Sequence, residues 1–110
     1  MRTEDATSTL PAAGLDLTAI RRTLQSELTE REERIRQLSP HAAPHLDPVA
    51  WSALAAARRA VEQITAALDR LSAGTYGRCT RCDGAILPAR LEVLPSAPTC
   101  IDCQNRVENA

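Results

Sequence analysis

The sequence predicts a mainly α protein: an antiparallel two-helix coiled-coil hairpin followed by a small four-cysteine (C4) module. Three observations predict it. Two long stretches carry apolar residues at mixed three- and four-residue spacing, the period of one helix face. A short Pro- and His-containing segment separates them, which favours helices that turn back on each other. The cysteines form two pairs, Cys79-x2-Cys82 and Cys100-x2-Cys103, with seventeen residues between the pairs.

Composition narrows the function classes. A chain of 110 residues makes one modest domain, or one element plus a small module. Trp51 and Tyr76 are the only aromatic residues, and there is no Phe, which argues against a large globular core. A formal net charge of -1 gives no overall drive toward nucleic acid. No apolar run is long enough to span a membrane, and the first residues lack the basic-then-apolar layout of a signal peptide. The expected localisation is cytoplasmic, where thiols stay reduced and available to a metal.

Residues 1 to 14 lack periodicity and read as a flexible tail; residues 15 to 73 read as the hairpin, with its tip at 39 to 51. The first helix runs from about Asp16 to Leu38. Its apolar face is Leu17, Ile20, Leu24, Leu28, Ile35 and Leu38. Its other face offers Glu27/Arg31, Glu30/Arg34 and Glu32/Arg36 at i, i+4, each pair worth roughly 0.2–0.5 kcal/mol. Ser39-Pro40 ends it. Asp47-Pro48 opens the second helix as N-cap and first helical residue. Leu54, Ala57, Val61, Ile64, Leu68 and Leu71 continue it at heptad a/d spacing, and Gly74 stops it.

Residues 74 to 110 carry the cysteines. A two-residue spacer lets both thiolates of a pair turn toward one ion, and two such turns supply four soft ligands. Cys79, Cys82, Cys100 and Cys103 therefore point to one structural Zn²⁺ in a C4 zinc-finger module. The closed ligand set leaves no open position for a substrate, so no catalytic residue is expected. A dithiol redox pair and disulfides are the competing readings. Gly84 is expected to supply a positive φ after the first turn, and Asp102 to accept backbone N–H groups in the second. Between the pairs, Ile86, Leu87, Leu91, Val93 and Leu94, punctuated by prolines, read as one or two short strands. Such a core is small, so metal binding would supply much of the folding free energy. Arg78, Arg81 and Arg90 either offset the thiolate charge or form a solvated surface.

Tyr76-Gly77-Arg78-Cys79-Thr80-Arg81-Cys82, then Ile86, Pro88, Arg90-Leu91-Glu92, Pro95 and Cys100-Ile101-Asp102-Cys103-Gln104, resemble the DksA/TraR zinc-finger family across residues 74 to 104. The resemblance implies a bacterial transcription regulator, not an enzyme, that binds RNA polymerase without a DNA site of its own. It implies insertion of the hairpin tip into the polymerase secondary channel to modulate initiation, often together with guanosine tetraphosphate. The family tip follows an Asp-x-x-Asp-x-Ala pattern after an Asp-Pro-Val start. Asp47-Pro48-Val49 matches that start, whereas Ala50 stands at the second acidic position and Ser52 at the alanine position. Asp47 and Trp51 are the candidate partner-binding residues of the tip. Asp47 also serves as an ordinary N-cap, and Trp51 is equally suited to packing across the hairpin end.

Other features have ordinary readings. His41 and His45 sit in a loop broken by Pro44 and read as solvated. Arg21-Arg22 and Arg58-Arg59 fit either contact with an acidic or phosphate-rich partner or plain helix faces. Two rival classes remain. A zinc finger that binds DNA, or another protein without channel insertion, shares the cysteine spacing, but only a short, nearly uncharged tail follows Cys103. A dithiol enzyme would need a βαβ pattern around Cys79 and Cys82, which the sequence lacks.

Overall fold

A computed structural model describes residues 14–108, so the expected tail lies outside the described residues except for Gly14. Four helices follow in order: α1 (Leu17–Leu38), α2 (Pro48–Ala73), α3 (Pro88–Val93) and α4 (Ile101–Glu108). The first two contain 22 and 26 residues, which at 1.5 Å per residue makes them about 33 and 39 Å long. They pack as an antiparallel hairpin within a molecule of 60 × 33 × 20 Å.

The helix limits follow from local chemistry. Asp16 Oδ1 accepts the Ala19 N–H at 3.1 Å, and Asp47 Oδ1 accepts the Ala50 N–H at 3.0 Å. Each satisfies one of the N–H groups that a helix start leaves without an intrahelical acceptor. Pro48 occupies the first turn of α2, where its fixed φ fits and its missing N–H costs nothing. Gly74 ends α2 in the left-handed region at φ 78°, a conformation that glycine adopts without strain. At the end of α1, Ser39 itself remains helical (φ -55°, ψ -42°), although it precedes Pro40. The break comes from Pro40, which has no N–H to continue the ladder.

The expected apolar stripes face each other except at Leu17, which is exposed at the start of α1. Leu24 is fully buried, and Leu54, Ala57 and Ile64 are buried on α2; Ile20, Leu28, Ile35, Leu38, Val61, Leu68 and Leu71 are half-buried. Ala67 and Ala50 add small buried residues that let the helices approach closely. The expected i, i+4 ion pairs do not form. Arg36 instead joins Glu33 at i, i+3, with Nη2 to Oε1 at 2.6 Å. Both partners are exposed, and at such sites side-chain entropy and solvation leave little energy to separate the alternatives.

The predicted strands are absent among the described residues. Arg78↔Ala85 is an isolated antiparallel bridge, and Pro88–Val93 is the short helix α3. Pro88 starts that helix and Ala89, Arg90, Leu91 and Glu92 are good helix formers, which outweighs the β preference of Val93. Ile86 and Leu91 are buried, whereas Leu87, Val93 and Leu94 are exposed.

The cysteine module does not rely on its own apolar residues alone. Tyr76, Cys79, Ile86, Leu91, Ala97 and Cys103 form one buried cluster with Leu24, Ile64 and Ala67 of the hairpin. Tyr76 adds a directional tie: its hydroxyl donates to the Pro95 carbonyl at 2.8 Å. No helix among the described residues is long and apolar enough to cross a membrane.

Candidate metal centre

The first cysteine pair sits in a tight turn. Gly77 (φ 88°) lets the chain reverse, and its carbonyl accepts the Ile86 N–H at 2.7 Å. Inside that closure the Cys79 N–H donates to Gly84 O at 2.7 Å, and the Asp83 N–H donates to Cys79 O at 3.0 Å. The left-handed residue of this turn is Asp83 (φ 65°), not Gly84. Asp tolerates this region better than most side chains. Gly84 matters for space instead: a Cβ there would stand 3.3 Å from Cys82 Sγ. The Gly84 N–H also points at that sulfur, at 3.4 Å.

The second pair is built on the start of α4. Cys100 directly precedes the helix, and its Sγ accepts the Cys103 N–H at 3.5 Å, the bond a capping oxygen would normally take. Asp102 lies in the first turn of α4, where a carboxylate interacts favourably with the helix dipole rather than closing a turn. One bond ties the two pairs' segments to each other and a second ties α3 to the segment of the second pair. The Thr80 N–H donates to Pro98 O at 2.9 Å, and Arg90 Nε of α3 donates to Thr99 O at 3.0 Å.

All four Sγ atoms lie within 4.8 Å of one another. A tetrahedral ion with metal–sulfur bonds of about 2.3 Å requires sulfur–sulfur edges of about 3.8 Å. Cys82 and Cys100 Sγ stand 3.9 Å apart, so the cluster fits zinc with little movement. The donor set, four soft sulfurs and no oxygen, selects the same ion. Cys79 and Cys103 are buried, Cys100 is half-buried and Cys82 is exposed.

The thiols are electrostatically unequal. Burial pushes Cys79 up, but backbone hydrogen bonds involving Cys82, Cys100 and Arg81 outweigh it and bring the thiol down to about 6. Hydrogen bonding with Cys100, followed by burial, pushes Cys103 up to about 12. A metal would displace the protons that remain, so loading is coupled to proton release. Of the arginines expected to balance the thiolates, Arg78 pairs with Asp83 at 3.2 Å and Arg90 is committed to Thr99 O. Arg81 is exposed, while its backbone N–H reaches Cys79 Sγ at 3.4 Å.

The other sequence candidates lie elsewhere. Asp47 and Trp51 are at the hairpin tip, far along the rod from the cysteines. Trp51 is 46% exposed and borders a shallow recess with Leu54, Ala55 and Arg58. Leu46, which the sequence reading did not single out, and Val49 are 88% and 78% exposed beside it. Ala50, at the position of the second family acid, is buried. His41 and His45 are exposed in the loop. Among the described residues, the four cysteines are the group placed to share an ion.

The fold and this centre define a C4 zinc finger carried on a helical hairpin. Residues 74–109 match the family model of the prokaryotic DksA/TraR C4-type zinc finger. The whole chain is similar in fold to the structure of transcription factor DksA2 from Pseudomonas aeruginosa. That similarity has a TM-score of 0.53 at 23% identity, covering 98% of this chain and 88% of the other. No curated protein matches the sequence.

Proposed function

We propose that Cys79, Cys82, Cys100 and Cys103 hold one structural Zn²⁺, and that the chain regulates transcription by binding RNA polymerase through its hairpin tip. The observation that carries this reading is the joining of a DksA/TraR-type finger to a hairpin whose end exposes Leu46, Val49 and Trp51 beside the half-buried Asp47. The ion would fix the two turns and α4 against the hairpin base, making the rod and its base one rigid unit. An α2 of about 39 Å gives the tip the reach to enter a deep channel, and the family resemblance points to the secondary channel.

At the tip, Asp47 uses Oδ1 to cap α2 and keeps Oδ2 available to a partner. Leu46, Val49 and Trp51 surround it with apolar surface. With Ala50 in place of a second acid, one carboxylate remains to act on the polymerase active centre, so the effect on initiation is expected to be smaller than that of a two-acid tip. Guanosine tetraphosphate belongs to the same reading, as a ligand of the polymerase complex. Binding to DNA is less well supported: α4 carries Asp102, Arg106 and Glu108, a poor set for neutralising phosphates.

Open-complex lifetime on a supercoiled promoter, measured with purified polymerase, tests the proposal. The zinc-loaded protein should alter the lifetime, and Asp47→Asn should diminish the change while leaving the fold intact. No effect of the native protein at saturating concentration would oppose a role in initiation.

A further inference from the structure

Arg70 differs from the other arginines among the described residues. It lies in the last turn of α2, and its Nη2 is buried with no hydrogen-bond partner among the described residues. Buried guanidinium donors are nearly always satisfied, so an orphan is informative. Burial lowers the Arg70 pKa, and the opposing influence of Tyr76 only partly offsets it. The Tyr76 hydroxyl donates to Pro95 O and takes no hydrogen bond from Arg70, whose buried Nη2 ends an otherwise half-buried side chain.

Arg70 also borders a cavity of about 340 Å³ between the end of α2 and the first cysteine turn. Arg78, Arg81, Thr75 and Thr80 share its wall. Asp83 is there too, but it takes only Nη1 of Arg78. Three guanidinium groups stand here against one carboxylate and the neighbouring four-thiolate centre, which stays anionic with Zn²⁺ bound. Cys79 also lines it, and its sulfur already accepts the Arg81 backbone N–H. Apart from the Arg78 Nη1 taken by Asp83, the guanidinium donors of Arg70, Arg78 and Arg81 have no hydrogen-bond partner among the described residues.

We propose that this cavity binds a phosphate group, free or at the end of a nucleotide, held by Arg70, Arg78 and Arg81 with Thr75 and Thr80 as hydroxyl donors. Guanidinium forks match the paired oxygens of a phosphate, and donors arriving from several sides suit its tetrahedral shape better than a planar carboxylate. The cavity is at the small end of ligand-pocket sizes, enough for a phosphate and part of what it is attached to. The site is at the base of the rod and does not depend on the polymerase reading.

Titration of the zinc-loaded full chain with inorganic phosphate, and separately with ADP, tests this at constant ionic strength with chloride as control. The readout is the amide and arginine Nε–H NMR signals. Saturable shifts should centre on Arg70, Arg78, Arg81, Thr75 and Thr80. Arg70→Met, which keeps the aliphatic stem, should weaken binding about tenfold, and Arg81→Ala on the exposed rim about threefold. Tighter binding of ADP than of phosphate would identify a nucleotide as the source, and equal binding the phosphate group alone. Shifts that never saturate, or that chloride reproduces, would overturn the site. If Arg70→Met fails to fold, Arg81→Ala decides: unchanged phosphate affinity in that variant would overturn it as well.

Discussion

Leu24→Ala is expected to loosen the hairpin and the zinc module together. Leu24 has no exposed surface and belongs to the cluster that joins Ile64 and Ala67 of α2 to Tyr76, Ile86 and Leu91 of the module. The substitution removes three carbons, worth about 2.4 kcal/mol at 0.8 kcal/mol each, and the cavity left behind raises the cost to about 3–4 kcal/mol. For a chain of this size that is a large part of a total stability of about 5–10 kcal/mol. The expected fall in Tm is about 12–25 °C. Helix melting followed by circular dichroism gives one readout, and zinc release to a colorimetric chelator gives the other. Metal affinity includes folding free energy, so the chelator should remove zinc faster from the variant. Ile35→Ala, half-buried toward the tip, serves as a hairpin-only control: it should lower the melt and leave zinc release nearly unchanged. If Leu24→Ala lowered Tm by only a few degrees, or left zinc release at the native rate, the shared core would not couple the two parts.

Three further outcomes are expected. Cys82→Ser should abolish stoichiometric zinc binding and melt the C-terminal module while most helical ellipticity persists; unchanged zinc content would contradict the proposed ligand set. Tyr76→Phe should cost about 1 kcal/mol in chemical denaturation, because the bond to Pro95 O is lost. Burial raises the Tyr76 pKa to about 12, with Arg70 opposing, so its contribution is fully present below the ordinary value near 10 and is lost as pH rises through 12. The stability difference between native protein and Tyr76→Phe should therefore shrink over that alkaline window and stay constant at neutral pH. At the tip, Asp47→Ala should cost about 1 kcal/mol through loss of the cap, whereas Asp47→Asn should cost only a few tenths. Equal losses in denaturant melts would show that the side chain does more than cap the helix.

The hairpin was legible because its signals are local and repeated. Leu24, Leu54, Ala57 and Ile64 fall on the faces their spacing assigns, and Asp47-Pro48 and Gly74 set the limits of α2 through backbone chemistry that depends on neighbours alone. The cysteine cluster was legible for a similar reason, since two Cys-x2-Cys turns have few ways to place four sulfurs apart from each other. The segment between them was not. Its helix α3 is a little more than one turn, too short to display a period, and the prolines that begin and follow it read equally well as turn residues. Leu87-Pro88 followed by Ala89-Arg90-Leu91 was the available signal. The start of α4 was hidden because Cys100 caps it with sulfur, outside the usual Ser, Thr, Asp and Asn set. Apolar identity also failed to separate buried Leu91 from exposed Val93, because burial there depends on which side of α3 meets the hairpin. Arg70 and Tyr76 lie six residues apart, and their electrostatic relation comes only from the fold.

The most direct test of polymerase binding through the tip is equilibrium binding of the zinc-loaded protein to bacterial core RNA polymerase, read by fluorescence anisotropy of a label at an engineered site on the first turn of α1. A known secondary-channel factor is then added in increasing concentration. The proposed mode predicts saturable binding that the factor displaces completely, and a weakened complex when Trp51 is replaced by Ala. Binding that survives saturating competitor, or no binding at micromolar polymerase, would contradict it.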